Sequence, residues 1–285
     1  MRVVSYNLYL GVDLSLMFGV PAEGMDAAVT TLLAQLEVTD FPTRARAIAK
    51  LLLDTDADLV GLQEVTTWTR GGEVICDFLP ELTAALGSSY TVHAVNPNFA
   101  GSGAGLTIQG SNVTLVRDGV PVHGEGTGDF DAGLVVPTPM GEARIARSFG
   151  WVDAEVGGRE VRFVNTHTEA YDEQVRNSQR DELLAAIGDP GRPVVLVGDF
   201  NAEPEYVGMP EHWVDAWVAA GGAEGYTCGQ GPDLRNEVST LTQRIDYVWA
   251  RGLEVSDCWL IGADRADRVN GLWPSDHAGV VADLR

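Results

Sequence analysis

Several apolar stretches of this sequence run straight into side chains that can bind a cation or move a proton. The run from Val3 to Tyr6 meets Asn7, and Leu59 to Gln63 meets Glu64. Val161 to Thr166 meets His167, and Val194 to Gly198 meets Asp199, with Asn201 two residues on. Two segments reverse the order: Asp246 opens Asp-Tyr-Val-Trp-Ala, and Ser275-Asp276-His277 precedes Ala-Gly-Val-Val-Ala-Asp-Leu. Where neighbouring strands run antiparallel, the end of one lies beside the start of the next, so these groups could all gather on one rim. Strand residues two apart point to the same face, which would pair Asp199 with Asn201 and Asn165 with His167. Each residue alone has a plainer reading. Asx side chains shape turns, and a lone histidine or acid is more often structural. Six such places in one chain are harder to set aside.

The donor inventory is carboxylate and amide oxygen plus two histidines. Hard oxygen ligands suit Mg²⁺, Mn²⁺ or Ca²⁺ better than zinc or copper. Mg²⁺ takes one or two carboxylates and keeps water for a substrate phosphate, a role that Glu64 fits. The chain has no Gly-x-Ser-x-Gly elbow, no His-Glu-x-x-His helix and no cysteine beside a histidine. What remains is water, activated by a carboxylate or histidine, attacking a phosphorus held by a cation and hydrogen-bond donors. Such transfer rests mainly on positioning and charge stabilisation.

The charge balance bears on the same point. The formal net charge is −22. Lys50 is the single lysine, and the other basic residues are arginines. A general grip on nucleic acid needs excess positive charge, so a polyanion would have to meet a local basic site or a bound cation. The arginine pairs 44/46, 144/147, 176/180 and 265/268 are candidates for a local patch. Cys76, Cys228 and Cys258 form no Cys-x-x-Cys pair, which argues against a zinc knuckle and leaves room for at most one disulfide. No apolar run is long enough to span a bilayer, and the start Met-Arg-Val-Val-Ser-Tyr-Asn does not read as a secretion signal. The expectation is cytoplasmic as sequenced, or secreted if a signal segment has been trimmed.

Elements must position these groups. Runs of strand length fall at 2–6, 59–63, 91–95, 112–117, 149–155, 161–165, 194–198, 247–250 and 278–282. Helical patterns fall at 41–54, 75–86, 173–187 and 210–220. In the first helix Ala45, Ile48, Ala49, Leu52 and Leu53 share a face, and Asp40 or Thr43 can cap its start. This mixture predicts an α/β protein with packed sheets and helices outside, residues 1–285 forming one domain. Two segments break the rhythm. Residues 11–39 carry Leu14, Leu16, Met17, Phe18 and Val20 and read as core, a helical lid or a substrate-facing surface. Residues 96–110 are glycine-rich and read as a flexible surface loop; no Gly-Lys-Ser/Thr follows, so this is not a P-loop.

Taken together, the pieces Ser5-Tyr6-Asn7, DLVGLQEV at 58–65, NTHT at 165–168, LVGDFNAEP at 196–204, RIDYVWA at 244–250 and Ser275-Asp276-His277 resemble the endonuclease/exonuclease/phosphatase superfamily. They stand in that family's order and cover nearly the whole chain. DAWVAAGGAEGYTC at 215–228 also looks like the family's stretch before its Ile-Asp-Tyr. The resemblance implies a four-layer sandwich of two packed mixed β-sheets flanked by helices. It implies that Glu64 binds the divalent cation with Asn7 close by, and that Asp276 could serve a metal. Asp199 would orient or deprotonate the attacking water, and Asn201 would hold that water or a phosphate oxygen. His167 would bond to the phosphate. His277 would contact the scissile phosphate, oriented by Asp246. Arg147 matches a phosphate-contacting arginine. The expected cofactor is Mg²⁺, with Mn²⁺ or Ca²⁺ as alternatives. The expected substrate is a small or lipid-like phosphodiester. A nuclease, a phosphomonoesterase and a non-catalytic binding protein on the same fold are the alternatives. A monomer with a peripheral membrane contact, residues 14–20 supplying the apolar loop, fits the lipid reading.

Overall fold

A computed structural model describes residues 1–17, 19–138 and 141–285. The chain begins with β1 (Arg2–Asn7), α1 (Met25–Thr39), α2 (Phe41–Thr55), β2 (Leu59–Arg70), β3 (Glu73–Asp77) and α3 (Phe78–Leu86). Then come β4 (Tyr90–Gly103), β5 (Leu106–Arg117), β6 (Val122–Asp129), β7 (Leu134–Thr138), β8 (Gly141–Ile145), β9 (Ser148–Val156) and β10 (Arg159–His167). The last part holds α4 (Glu173–Ile187), β11 (Val194–Asp199), α5 (Pro204–Val207), β12 (Val214–Asp215), α6 (Ala216–Ala219), β13 (Asp246–Arg251), β14 (Val255–Ile261) and β15 (Gly279–Leu284).

All of these strands but β7 and β8, which pair with each other, form two mixed sheets. The first is ordered β14-β15-β1-β2-β5-β4, with β3 beside β2; the second is ordered β12-β13-β11-β10-β9-β6. Each has one parallel pair at its centre, β1 with β2 and β10 with β11, and antiparallel strands outside it. The last strand closes on the first: Arg2 pairs with Asp283, and the Met1 amino group donates to the Leu284 carbonyl at 2.9 Å.

Burial explains the continuous apolar runs. All six residues of β11 are buried. Val195 and Val197 face the first sheet and pack with Val3, Leu59, Phe163 and Val280. Val194 and Leu196 face outward and pack under Leu183 and Ile187 of α4. A strand covered on both faces shows no polar alternation. On the other side, α1, α2 and α3 lay Leu32, Ile48 and Leu82 over Val4, Val60 and Leu115. The result is the expected four layers: helices, sheet, sheet and helix.

The sheets approach closely near the site. A Cβ on Gly61 would lie 2.5 Å from Val197 Cγ2 and 2.9 Å from Asn165 Cγ, so only glycine fits there. Asn165 crosses the gap, donating to the carbonyls of Leu62 and Val113 at 3.0 Å each and accepting from Gln63 Nε2 at 2.7 Å. This ties the parallel pair of one sheet to that of the other.

The structure corrects several sequence expectations. Asp40 does cap α2, accepting from the Thr43 N–H. Residues 75–77 belong to β3, and the helix starts at Phe78 with Pro80 in its first turn, where no intrahelical donor is needed. The helix expected over 210–220 is only Ala216–Ala219. Val214 and Asp215 pair instead with Ala250 and Trp249, and the Asp215 carboxylate caps the short turn. The glycine-rich stretch 96–110 is not a loop but the two arms of the β4–β5 hairpin. Residues 25–39 form α1, whose Val29, Leu32 and Leu36 are core. Phe18 lies outside the described residues. The three cysteines are free, and among the described residues no helix is long and apolar enough to cross a membrane.

Candidate active site

The two parallel pairs point the same way, so the chain leaves β1, β2, β10 and β11 near one rim, and the antiparallel β13 and β15 start there. Register fixes the neighbours. His167 pairs with Asp199 across β10–β11, and Asp199 pairs with Asp246 across β11–β13. Asp199 therefore stands between a histidine and a second acid. Its Oδ2 accepts from Asn7 Nδ2 at 2.9 Å and lies 3.5 Å from His167 Nε2 and 3.9 Å from His277 Nε2. Asp199, His167 and His277 border a cleft of about 250 Å³.

Asn201 reaches this cluster by a different route from strand alternation. The strand stops at Asp199, and Asn201 turns into the left-handed region with φ 48°. Its backbone N–H donates to Asp199 Oδ1 at 2.8 Å, a side-chain turn that also aligns the carboxylate. Its side-chain amide lies 2.9 Å from His167 Nε2 and donates to the Thr168 carbonyl at 3.0 Å. The turn reading and the site reading of these two residues are both true.

Glu64 is placed by a bulge. The β2–β5 register shifts between Leu62 and Val65, and Glu64 sits inside the shift with φ 56°. A non-glycine residue held there costs energy that regular pairing would avoid, a pattern frequent at functional sites. The bulge turns the carboxylate to the cleft, where its Oε2 accepts from the Leu10 N–H at 2.7 Å. Asn7 is used at both ends of its amide: Nδ2 donates to Asp199 and Oδ1 accepts from the Tyr9 N–H at 2.9 Å. Among the described residues, the acids and histidine whose ligand atoms converge best are Asp199, Asp246 and His277, within 4.8 Å of one another.

The two histidines carry opposite character. His277 Nδ1 sits 2.8 Å from Asp246 Oδ2. Burial opposes its charge, but Asp246, Cys228 and Asp276 outweigh it and hold the imidazole well above its ordinary value. His167 goes the other way: burial, then Arg147 and His277, push it well below the ordinary value. Arg147 NH1 lies 3.3 Å from its Nδ1, where an acid would have held a proton. The carboxyl of Asp199 is pushed up to about 7 by burial and then by Asp246. Asp276, partly exposed, is pushed up to about 7 by the same kind of desolvation, with Glu64 adding to it. Asp246 Oδ1 is buried with no partner. Crowded carboxylates with raised values and an orphaned oxygen suit a site that takes a divalent cation.

Three contributors were not singled out from the sequence. Thr227 Oγ1 accepts from the N–H groups of Ile245 and Asp246, both at 3.1 Å, and so fixes the start of β13. Cys228 lies beside His277 and borders the cleft; the 215–228 segment was the only pointer to either. Glu169, two residues beyond His167, is fully buried behind Arg147. Several of the arginines suggested for local patches are turned inward or paired. Arg44 is fully buried, Arg176 donates to the carbonyls of Glu169 and Ala170, and Arg268 donates to those of Arg235 and Gly271. Arg144 donates to the carbonyls of Phe130 and Asp131, and Arg180 pairs with its neighbour Asp181.

Leu10, Leu14, Ile145 and Ile245 give the cleft an apolar share of its wall, with Tyr171 largely exposed at the rim. Leu14 belongs to a short 3₁₀ turn over Leu14–Met17.

A family model described as "Endonuclease/Exonuclease/phosphatase family" matches residues 4–277. No curated protein sequence gives a significant match. Solved structures do. Truncated TDP2 from Caenorhabditis elegans is 21% identical, with TM-score 0.63, over 99% of this chain and 96% of that one. An endonuclease/exonuclease/phosphatase from Bacteroides vulgatus is 18% identical, with TM-score 0.67, over 100% and 98%. A mannosyl-6-phosphatase from Bacteroides thetaiotaomicron is 18% identical, with TM-score 0.65, over 100% and 99%. At these identities the structures speak for the fold.

Proposed function

Because the chain belongs to the endonuclease/exonuclease/phosphatase family, whose members are phosphoester hydrolases, we propose that it is a divalent-metal-dependent phosphodiesterase acting on a small or lipid-like ester. The observation that carries the reading is Asp199, held by Asn7 and Asn201 and facing His167 and His277 beside a half-apolar cleft.

Each group has a task its environment suits. Asp199, with its carboxyl near neutrality, can take a proton from water, and Asn201 next to it can hold that water. The water oxygen attacks phosphorus and the bond to the leaving oxygen breaks. His277, kept protonated by Asp246, offers Nε2–H to the phosphate or to the leaving oxygen. His167, kept neutral, serves as a fixed hydrogen-bonding group instead of a charge. Glu64 and Asp276 would hold Mg²⁺, leaving Asp199 for the water and Asp246 for His277. The cation would neutralise phosphate charge and let an acidic protein bind an anion.

The cleft's composition favours a diester. Arg147 is the single arginine or lysine among its described lining residues, whereas a dianionic monoester calls for more positive groups. The apolar wall suits a lipid-like or otherwise apolar leaving group. Extended nucleic acid would need a basic track, and Arg44, Arg144, Arg176 and Arg268 point into backbone carbonyls while Arg180 pairs with Asp181.

One hydrolysis panel tests this. Bis(p-nitrophenyl) phosphate, p-nitrophenyl phosphate, sphingomyelin and plasmid DNA are each offered with Mg²⁺, Mn²⁺, Ca²⁺ or chelator. The expected result is metal-dependent cleavage of the diester or sphingomyelin, abolished in Asp199→Ala. No hydrolysis of any ester with any metal would leave a binding protein. Cleavage of DNA alone would overturn the substrate reading.

A further inference from the structure

Glu169 is a fully buried acid to which the reaction sketched above gives no task. The structure spends heavily on placing it. Its N–H donates to Gln179 Oε1 at 2.8 Å, its carbonyl accepts from Arg176 NH1 at 3.0 Å, and its Oε1 accepts from the Tyr171 N–H at 2.9 Å. Oε2 is left without a hydrogen bond, and so is Nε of Arg147. These two buried orphans face each other at 3.7 Å. Two buried, opposite charges rarely stop short of contact, because each unsatisfied group costs stability. The other end of the guanidinium explains the standoff: NH1 is 3.3 Å from His167 Nδ1, on the cleft side. Arg147 is thus suspended between a carboxylate behind it and the cleft in front.

We propose that Glu169 is a positioning residue that holds Arg147 with its NH groups turned to the cleft, where they bind a non-bridging oxygen of the substrate phosphate. An anion in front gives the NH groups their acceptor, and the Nε–Oε2 contact behind sets the direction of the fork. Without the carboxylate, the guanidinium has, among the described residues, the His167 imidazole to lean on and loses its aim. This inference rests on the phosphoester reading, so its test includes a binding measurement that needs no turnover.

Glu169→Gln keeps the volume and an oxygen for the Tyr171 N–H but removes the charge. Three quantities are read: inorganic phosphate affinity by calorimetry, kcat and KM for the best ester of the panel, and Tm. The expected result is a roughly tenfold loss of phosphate affinity and a matching rise in KM, at nearly unchanged Tm. Arg147→Met should show the same loss, and the double variant no more than either alone. Guanidinium ion added to Arg147→Ala should restore phosphate binding when Glu169 is present and not when it is glutamine. Phosphate affinity within twofold of wild type in Glu169→Gln, or additive losses in the double variant, overturns the proposal. If the wild type hydrolyses nothing but the phosphate pattern holds, the catalytic reading fails and this one stands. Should Glu169→Gln not fold, Arg147→Lys carries the test. A lysine keeps the charge but cannot face both ways, so unchanged phosphate affinity in that variant overturns the proposal.

Discussion

Replacing Arg44 with methionine should cost about 3–5 kcal/mol of folding stability and weaken the site in the same stroke. Arg44 is fully buried in α2, stacked 5.0 Å above the Phe41 ring. It donates to four carbonyls: Thr39 at 2.8 Å, Leu8 at 2.7 Å, Tyr9 at 3.2 Å and Pro274 at 2.9 Å. Burial pulls the guanidinium down to about 10, still charged at neutral pH. Charge-assisted bonds are worth about 1.5–3 kcal/mol each, and desolvation of the cation takes back a large part. Methionine fills the space and removes that desolvation cost, but it orphans four buried oxygens at about 1–3 kcal/mol apiece. Local relaxation recovers some of this, which gives the stated range. Leu8 and Tyr9 follow Asn7 directly, and Pro274 precedes Ser275-Asp276-His277, so Arg44 pins the two segments that bring Asn7 and His277 together. Urea unfolding with an unchanged m-value measures the loss, and kcat of the folded fraction should fall with it. Arg44→Lys, with three donors and no planar fork, should lose roughly half as much. A loss below about 1 kcal/mol would refute the clamp, because four orphaned buried carbonyls cannot be that cheap.

Other expectations follow from single contacts. Gly61→Ala puts a methyl 2.5 Å from Val197 Cγ2, so the urea midpoint should drop by the equivalent of about 1–3 kcal/mol; an unchanged midpoint would mean the sheets can part without cost. Asp246→Asn removes the charge that keeps His277 protonated, so kcat should fall by about two orders of magnitude or more and the His277 NMR titration should move down. A raised histidine stabilises the fold below its unfolded value and loses this as pH rises through its folded value, so the variant should lose more stability at pH 6 than at pH 10. Asp199 and Asp276 titrate near 7 instead of 3.8, so the folded state holds extra protons between those values and stability from these groups falls as pH rises from about 4 to 7. In chelator, Tm measured against Asp199→Asn should therefore decline across that window, and Mg²⁺ should raise Tm most above pH 7; a wild-type advantage that grows with pH in chelator would contradict the sign.

Much of this was legible because the chemistry sits where strands end. A doubly buried strand such as β11 must read as an apolar run, and the first polar residues after it must be at the rim. Strand alternation accounts for Asn165 and His167 on β10 but not for Asn201, since in sequence a left-handed turn cannot be told from two more strand residues. The bulge at Glu64 was hidden because it exists only relative to β5. Strand β6 was missed because Gly124, Gly126 and Gly128 replace apolar residues; for the last two, a Cβ would strike the rings of Trp151 and Phe149. The helix expected over 210–220 failed because Val214 and Asp215 found partners on β13, a tertiary choice that local pattern cannot report. Glu169 was unread because an acid near a histidine is common, and what distinguishes this one is its burial behind Arg147.

The closing of β15 on β1 has a consequence for how this molecule comes into being. Val3 and Val4, made well before β15, have an open edge until residues 280–283 exist to cover it. That strand follows directly on Asp276 and His277. A nascent chain therefore carries Glu64, His167 and Asp199 from the synthesis of residue 199 until residues 276 and 277 are added, with the last pieces of the site still missing. The pairing with the longest sequence separation, and so the greatest loop-closure cost, is the same event that completes the cluster of reactive groups. The emerging chain has to be sheltered along one sticky strand edge, and the site is assembled no earlier than the fold itself.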